Sequence, residues 1–193
     1  MNINEIRKEI DAIDEEIRIL LMKRLDCSEQ VAQTKMQAAA SEGKPSEITI
    51  FRADREEEIL KRLGAEVPEE RRAGYLAVVR KIMETSRMYQ YGIIFDNIEN
   101  LFPPLAENIN IKPSNTRVRV SLTRENRPNA MSSILSMIGD YGFNMDRMEL
   151  ISQDSEQVTF ELLIIGNLDD EKMQKLMFQL SKESKNFSII YSY

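Results

Sequence analysis

The sequence of 193 residues contains no histidine and no tryptophan, and its one cysteine is Cys27. Without histidine the chain lacks the commonest general base and the commonest metal ligand. Activation of a nucleophile by a Ser-His or Cys-His pair is therefore excluded. A single cysteine also excludes an internal disulfide and a cysteine-based zinc cluster. Any enzyme chemistry falls to arginine, lysine, carboxylate, serine, glutamine or tyrosine side chains.

Long apolar runs are absent as well. No segment approaches the roughly 18 consecutive apolar residues of a membrane span, and the N-terminal MNINEIRKEI has no apolar signal-peptide core. We therefore expect a cytoplasmic protein with no membrane partner. The net charge of −6 argues against nucleic acid as a partner. An anionic small ligand would need cations that are concentrated locally.

The apolar periodicity predicts three helices in the first 92 residues, over about 3–40, 48–63 and 68–92. The first would be roughly 54 Å long, against about 24 and 37 Å for the other two. It would overhang its partners and expose its apolar stripe, which is unfavourable for a monomer. We therefore expect an intertwined homodimer or a higher homo-oligomer.

The second half of the chain changes character. Residues 93–115 carry three prolines that forbid a continuing helix, and they are interpreted as a linker. Residues 116–193 alternate between strand and helix periods in the order βαββαβ, which is typical of a ferredoxin-like unit. The expected fold class is α+β, with an all-α domain over 1–92 followed by this second domain.

Polar side chains interrupt the apolar faces of the predicted helices. Arg24 and Lys35 lie eleven residues apart, so their Cα atoms would be roughly 16 Å apart on one face. Between them a small dianion could bind. The alternative is that both cations extend to solvent or pair with carboxylates on neighbouring helices.

The other two helices repeat this pattern. Ser86 and Gln90 continue the apolar face of the third helix, and both can hydrogen-bond an oxygen-rich ligand. Glu56 shares a face with apolar residues of the second helix. Taken singly, each has an ordinary explanation: a satisfied core serine, a frayed terminal glutamine and a solvated carboxylate. Together they make a plausible pocket for a molecule with carboxylates and a hydroxyl.

The ordered segments IRKEIDAIDEEIRILLMKR, VAQTK, DRE and SRMYQ resemble the helical class of chorismate mutases over residues 3–92. The resemblance implies rearrangement of chorismate to prephenate by a pericyclic step. Such a step needs no proton transfer, no cofactor and no metal, which suits a chain without histidine. The enzyme would hold the diacid in its reactive conformer and stabilise the ether oxygen.

The resemblance also implies roles for individual residues. Arg24 and Arg7 would hold the two carboxylates, and Ser86 would help to place one of them. Lys35 and Gln90 would donate hydrogen bonds to the breaking ether oxygen. Glu56 would receive the ring hydroxyl.

Arg7 and Arg52 differ from the other predicted site residues. Arg7 would lie roughly 25 Å along the helix from Arg24, so it cannot reach the same pocket from its own chain. In the family this arginine comes from the other subunit, which agrees with the expected dimer. Arg52 stands where some members carry an aspartate, and we expect it to be tolerated and to add positive field at the pocket.

The second half resembles an ACT domain, an amino-acid-sensing module. RPNAMSSIL and GFNMDRMELIS stand where that family has its ligand-binding turn and the start of its second strand. An effector such as phenylalanine or tyrosine is implied, with these residues as its candidate contacts: Pro128, Asn129, Ala130, Asn144 and Glu149. Asn129 replaces a glycine and can adopt a positive φ. The alternative is a packing domain with no ligand.

Three other functions compete with a mutase. The chain could be a catalytically inactive, mutase-like regulatory module that binds an amino acid and a partner enzyme. It could also be an oligomerising structural protein whose cations form ordinary salt bridges. RNA binding by the ferredoxin-like half has little support, because that half is acidic and has few exposed strand aromatics.

Overall fold

The computed structural model describes residues 2–193, which form five α-helices, two short 3₁₀ helices and four strands. The elements in chain order are α1 (Ile3–Ser41), a 3₁₀ turn (Pro45–Glu47), α2 (Ala53–Ala65), α3 (Glu69–Asn97), a second 3₁₀ turn (Pro103–Leu105), β1 (Arg117–Glu125), α4 (Ala130–Asp140), β2 (Asn144–Gln153), β3 (Gln157–Ile165), α5 (Glu171–Glu183) and β4 (Lys185–Ser192). None of the helices in this part of the chain is long and apolar enough to cross a membrane.

The helix α1 begins with a capping box. The side chain of Asn2 accepts from the backbone of Glu5, and the Glu5 carboxylate accepts from the backbone of Asn2. Along its 39 residues, only Ser28 and Ala32 are buried. Large apolar residues stay exposed on the rest of the helix: Ile3, Ile6, Ile10, Ile13, Ile17, Ile19, Leu20, Met22 and Val31. The single chain thus leaves this stripe uncovered.

The second helix starts later than its apolar pattern predicts. The prediction placed its first residue at Ile48, but α2 begins at Ala53. Ile48 and Ile50 are buried instead in an extended segment between the two helices. The buried Tyr91 hydroxyl accepts hydrogen bonds from the backbone N–H groups of Ile50 and Phe51, both at 3.3 Å. These contacts from α3 replace the first turn of the predicted helix.

The third helix runs past its predicted end at Gly92 and continues to Asn97. Ile94 is fully buried, and the ring of Phe95 lies 5.8 Å from that of Phe178. Packing therefore keeps this turn helical although a glycine precedes it. The following segment crosses to the second half, where Phe102 and Ala106 enter the core.

The second half has the predicted βαββαβ order and forms a four-stranded antiparallel sheet with strand order β2-β3-β1-β4. The central strands pair along their whole length, from Arg117 opposite Ile165 to Glu125 opposite Gln157. One face of the sheet carries the core, which it shares with apolar residues of α4 and α5. The α+β fold class is confirmed.

The helix α5 also packs against the helical half. Phe178 joins a second buried cluster with Ala32, Tyr91 and Ile94. Its ring meets that of Tyr91 edge-on, with centroids 5.9 Å apart and planes at 87°. This helix therefore contributes to both cores and fixes the second half against α3.

Tyr91→Phe should lower the free energy of unfolding by about 1–3 kcal/mol, because two backbone N–H groups lose their acceptor beside the buried residues Tyr91 and Ile50. Urea denaturation of the two proteins measures the difference. Tyr89→Phe is the matched control, since Tyr89 lies on the same helix and is 39% exposed. Equal midpoints for Tyr91→Phe and the unsubstituted protein would contradict this account of the Ile50–Phe51 segment.

Candidate functional site

Arg24 connects α1 to α3. Its Nη1 donates to the Ser86 hydroxyl and to the backbone carbonyl of Ile82 at 3.3 Å. Burial lowers the pKa of Arg24, and the negative charge of Glu56 opposes that shift. Arg24 therefore points towards α3, and its charge interacts with a carboxylate of α2.

Ser86 and Gln90 lie one turn apart on the buried face of α3, and they are 5% and 8% exposed. The Ser86 hydroxyl donates to the carbonyl of Ile82 at 2.9 Å while it accepts from Arg24. Gln90 Nε2 donates to the carbonyl of Ser86 at 3.2 Å. Both side chains are held by backbone groups that a ligand oxygen could replace.

Lys35 lies near the C-terminal end of α1, and its Nζ donates to the carbonyl of Thr49 at 2.7 Å. Burial lowers the pKa of Lys35, and the positive charge of Arg52 lowers it further. Arg52 is itself exposed and forms an ion pair with Asp54, with Nη2 2.6 Å from the carboxylate. The positive charge of Arg52 thus acts on Lys35.

The carboxylate of Glu56 forms an ion pair within the site. Its Oε1 accepts from Nη1 of Arg87, a buried residue that directly follows Ser86 on α3. Sequence reasoning missed Arg87, although a signal was present. Arg87 lies in the i, i+4 row of buried residues that includes Val79, Met83 and Tyr91.

Arg7 lies far from the other predicted site residues of its own chain. It is exposed on α1, roughly 25 Å along the helix axis from Arg24. The structure therefore groups Arg24, Ser86, Gln90 and Glu56 around α3, with Lys35 and Arg52 further along α1 and at the start of α2.

The predicted effector residues divide into two groups. Pro128, Asn129 and Ala130 form the turn between β1 and α4, where Asn129 has a φ of 70° as the sequence allows. Asn129 and Ala130 border a cavity of about 390 Å³. Asn144 begins β2 at the strand's far end, about 30 Å along it from Gln153, which also borders the cavity.

Glu149 lies on the sheet face opposite the core. Its carboxylate is 3.2 Å from Arg147 and 3.6 Å from Arg119. Within one chain, Asn144 and Glu149 are therefore not gathered at the cavity beside Asn129.

The helical part of the chain is similar to a known protein family. Residues 6–91 match the family model of chorismate mutase type II. The match covers a little under half of the chain, and it likens this helical part to chorismate mutases. A comparison with curated proteins found no match.

Among solved structures, the chain is similar to a protein described as "GqqA- a novel type of quorum quenching acylases". The sequence identity is 20% and the TM-score is 0.40. The alignment covers 44% of each chain, so this chain spans less than half the length of that protein.

Arg52→Gln should raise the pKa of Lys35, because the substitution removes a positive charge that disfavours the protonated amine. The pKa should stay below the ordinary value for lysine, since burial still lowers it. An NMR titration that follows the Cε signals of ¹³C-labelled lysines measures it. Arg62→Gln, at an exposed position of α2, is the control and should leave the pKa of Lys35 unchanged. An unaltered pKa in Arg52→Gln would contradict the assigned coupling.

Proposed function

We propose that this protein is a chorismate mutase whose active site is built from α1, α2 and α3 and completed by a second copy of the chain. The proposal is supported by the family match of residues 6–91. The observation that carries it is the hydrogen bond from Arg24 on α1 to Ser86 on α3. That bond joins two residues of the predicted set across two helices.

Chorismate offers two carboxylates, an ether oxygen and a ring hydroxyl. Arg24 would bind one carboxylate, because a guanidinium presents several donors in a fixed plane that matches a carboxylate. Ser86 lies against the same guanidinium and would add a hydroxyl donor. Holding both ends of the substrate favours the folded conformer in which the reacting carbons meet.

Lys35 and Gln90 would donate to the ether oxygen, which gains negative charge as its bond to carbon breaks. In the free protein both donate to backbone carbonyls, of Thr49 and of Ser86. Rotation of flexible side chains would exchange these acceptors for the substrate oxygen. Glu56 has one oxygen on Arg87 and would use the other to receive the ring hydroxyl. Arg52 would add to the positive field around Lys35.

The first test follows the loss of chorismate absorbance with purified protein, with Lys35→Ala beside it. We expect steady turnover to prephenate, and a kcat/KM at least about 100-fold lower for Lys35→Ala, the usual loss for one donor to a developing oxyanion. Lys44→Ala is the matched control, because that side chain is 58% exposed and pairs with Glu47.

Absence of turnover above the spontaneous rate, in folded protein, would contradict the mutase and favour a regulatory module. Full activity of Lys35→Ala would remove Lys35 from its role.

A homodimer is the second part of the proposal. The exposed stripe of α1 includes Ile10 at 50%, Ile13 at 49% and Leu20 at 64% exposed. Arg7 lies within this half of the helix, far from Arg24 of its own chain. A second chain packed along the stripe would cover it and bring its Arg7 to the second carboxylate of the substrate.

Mixing two inactive variants tests this arrangement. Arg7→Ala and Lys35→Ala should each lose activity as homodimers. After the mixture is unfolded and refolded together, each heterodimer should contain one intact site. A 1:1 mixture should therefore recover about a quarter of the unsubstituted activity, because half of the dimers are mixed and half of their sites are complete.

Activity no higher than the sum of the separate variants would contradict a shared site. Mixing Arg7→Ala with Arg7→Ala, carried through the same refolding, controls for the procedure.

The third part concerns regulation by an aromatic amino acid, phenylalanine or tyrosine, through the C-terminal half. It is supported by the ferredoxin-like sheet and by the cavity beside Asn129 and Ala130, which apolar residues such as Leu135 and Leu150 also line. Asn144 and Glu149 would contribute from another copy of the chain. Repeating the turnover assay with each amino acid added checks this part.

A further inference from the structure

Arg87 lies between two carboxylates that come from the two halves of the chain. Its Nη1 donates to Oε1 of Glu56 on α2, and its Nε donates to Oε1 of Glu183 on α5 at 3.0 Å. The side chains of Arg87 and Glu183 are 7% and 0% exposed. The guanidinium carbon also lies 4.9 Å from the centre of the Phe51 ring.

The network continues into the second half. Gln179 Nε2 donates to the same oxygen of Glu183 at 2.8 Å, and its own Oε1 accepts from the Tyr141 hydroxyl at 2.9 Å. Glu56 is therefore linked through Arg87 to α5 and to Tyr141, the residue that follows α4. Each link is a side-chain hydrogen bond.

Glu56, Arg87 and Glu183 form a charged bridge between α2 and α5, and the three charges depend on one another. Burial by itself lowers the pKa of Arg87, but the carboxylates of Glu183 and Glu56 outweigh it and raise the pKa above the ordinary value. Removal of one partner from a buried ion pair leaves an uncompensated charge, which is strongly unfavourable. A planar guanidinium also fixes the geometry of the groups that it binds. Arg87 thus holds Glu56 in a position that depends on Glu183.

We propose that Arg87 and Glu183 are positioning residues for Glu56, so that the docking of α5 sets the place of the carboxylate that receives the substrate hydroxyl. This inference rests on the proposed function of Glu56. Any shift of α5 away from α3 removes one partner of Arg87 and changes how it holds Glu56. The bridge would therefore transmit a change in the docking of α5 to the position of Glu56.

A double-mutant cycle tests the proposal in the full-length chain. Glu183→Gln should lower kcat/KM about tenfold when Glu56 is present, and less than about twofold in a Glu56→Ala background, because its effect passes through Glu56. Glu171→Gln is the matched control, since Glu171 lies on the same helix and is 70% exposed. Equal losses in both backgrounds would overturn the proposal.

Gln179→Met provides a second variant if Glu183→Gln folds poorly. It removes the donor that orients Glu183 but keeps all three charges of the bridge, on Glu56, Arg87 and Glu183. We expect kcat/KM to fall about threefold in this variant, again only when Glu56 is present. Unchanged kcat/KM in this folded variant would count against positioning through α5.

A measurement that does not use turnover separates this inference from the proposed function. NMR of the arginine Nε–H groups reports how fast each exchanges with water, and Arg87 should exchange slowly. Exchange at Arg87 should become faster in Glu183→Gln and stay unchanged in Glu171→Gln. An unsubstituted chain without turnover would refute the mutase, whereas an Arg87 signal insensitive to Glu183→Gln would refute the bridge itself.

Discussion

The buried charge of Arg87 constrains the whole arrangement of the chain. An arginine that is almost fully enclosed must be paired, and here its two carboxylates come from α2 and α5. The helix α5 can satisfy Arg87 only if it lies along α3, and Phe178 secures that position against Tyr91. The C-terminal half is therefore part of the packing of the candidate site. Its removal would expose Arg87 and the apolar surface of α3 together.

The length of α1 imposes the second constraint. At 39 residues it extends roughly 58 Å, while α3, its main partner, has 29 residues. The buried positions of α1, Ser28 and Ala32, lie in its C-terminal part, close to Arg24, which hydrogen-bonds to α3. The N-terminal part of α1 carries exposed isoleucines at helical spacing. Arg7, the predicted site residue that lies far from the others in its own chain, is on the same part of the helix. Association with a second chain would cover the isoleucines and bring Arg7 to the site of that chain.

Much of the fold follows from local pattern, and the exceptions have a common cause. Alternation along β1 and β3 predicts the sheet because a strand with one buried face has a period of two. The start of α2 and the end of α3 could not be predicted, because each depends on a contact with a distant part of the chain. Tyr91 binds the segment before α2, and Phe178 packs against the last turns of α3. Arg24, Lys35 and Glu56 were detectable as polar residues on apolar faces. Glu183 was not recognisable as part of the site, since its partner Arg87 lies 96 residues earlier.

Burial and neighbouring charges act on the two cations that α1 contributes to the candidate site. Lys35 is partly buried beside Arg52, and both burial and the like charge lower its pKa. Burial also lowers the pKa of Arg24, and the negative charge of Glu56 partly compensates for this shift. The protonated forms of these side chains are therefore less favourable than they would be in water. A ligand with two carboxylates bound between the cations would reverse the balance and raise both pKa values. In a chain with a net charge of −6, a dianion of the kind proposed would favour the charged forms of Arg24 and Lys35 if it bound between them.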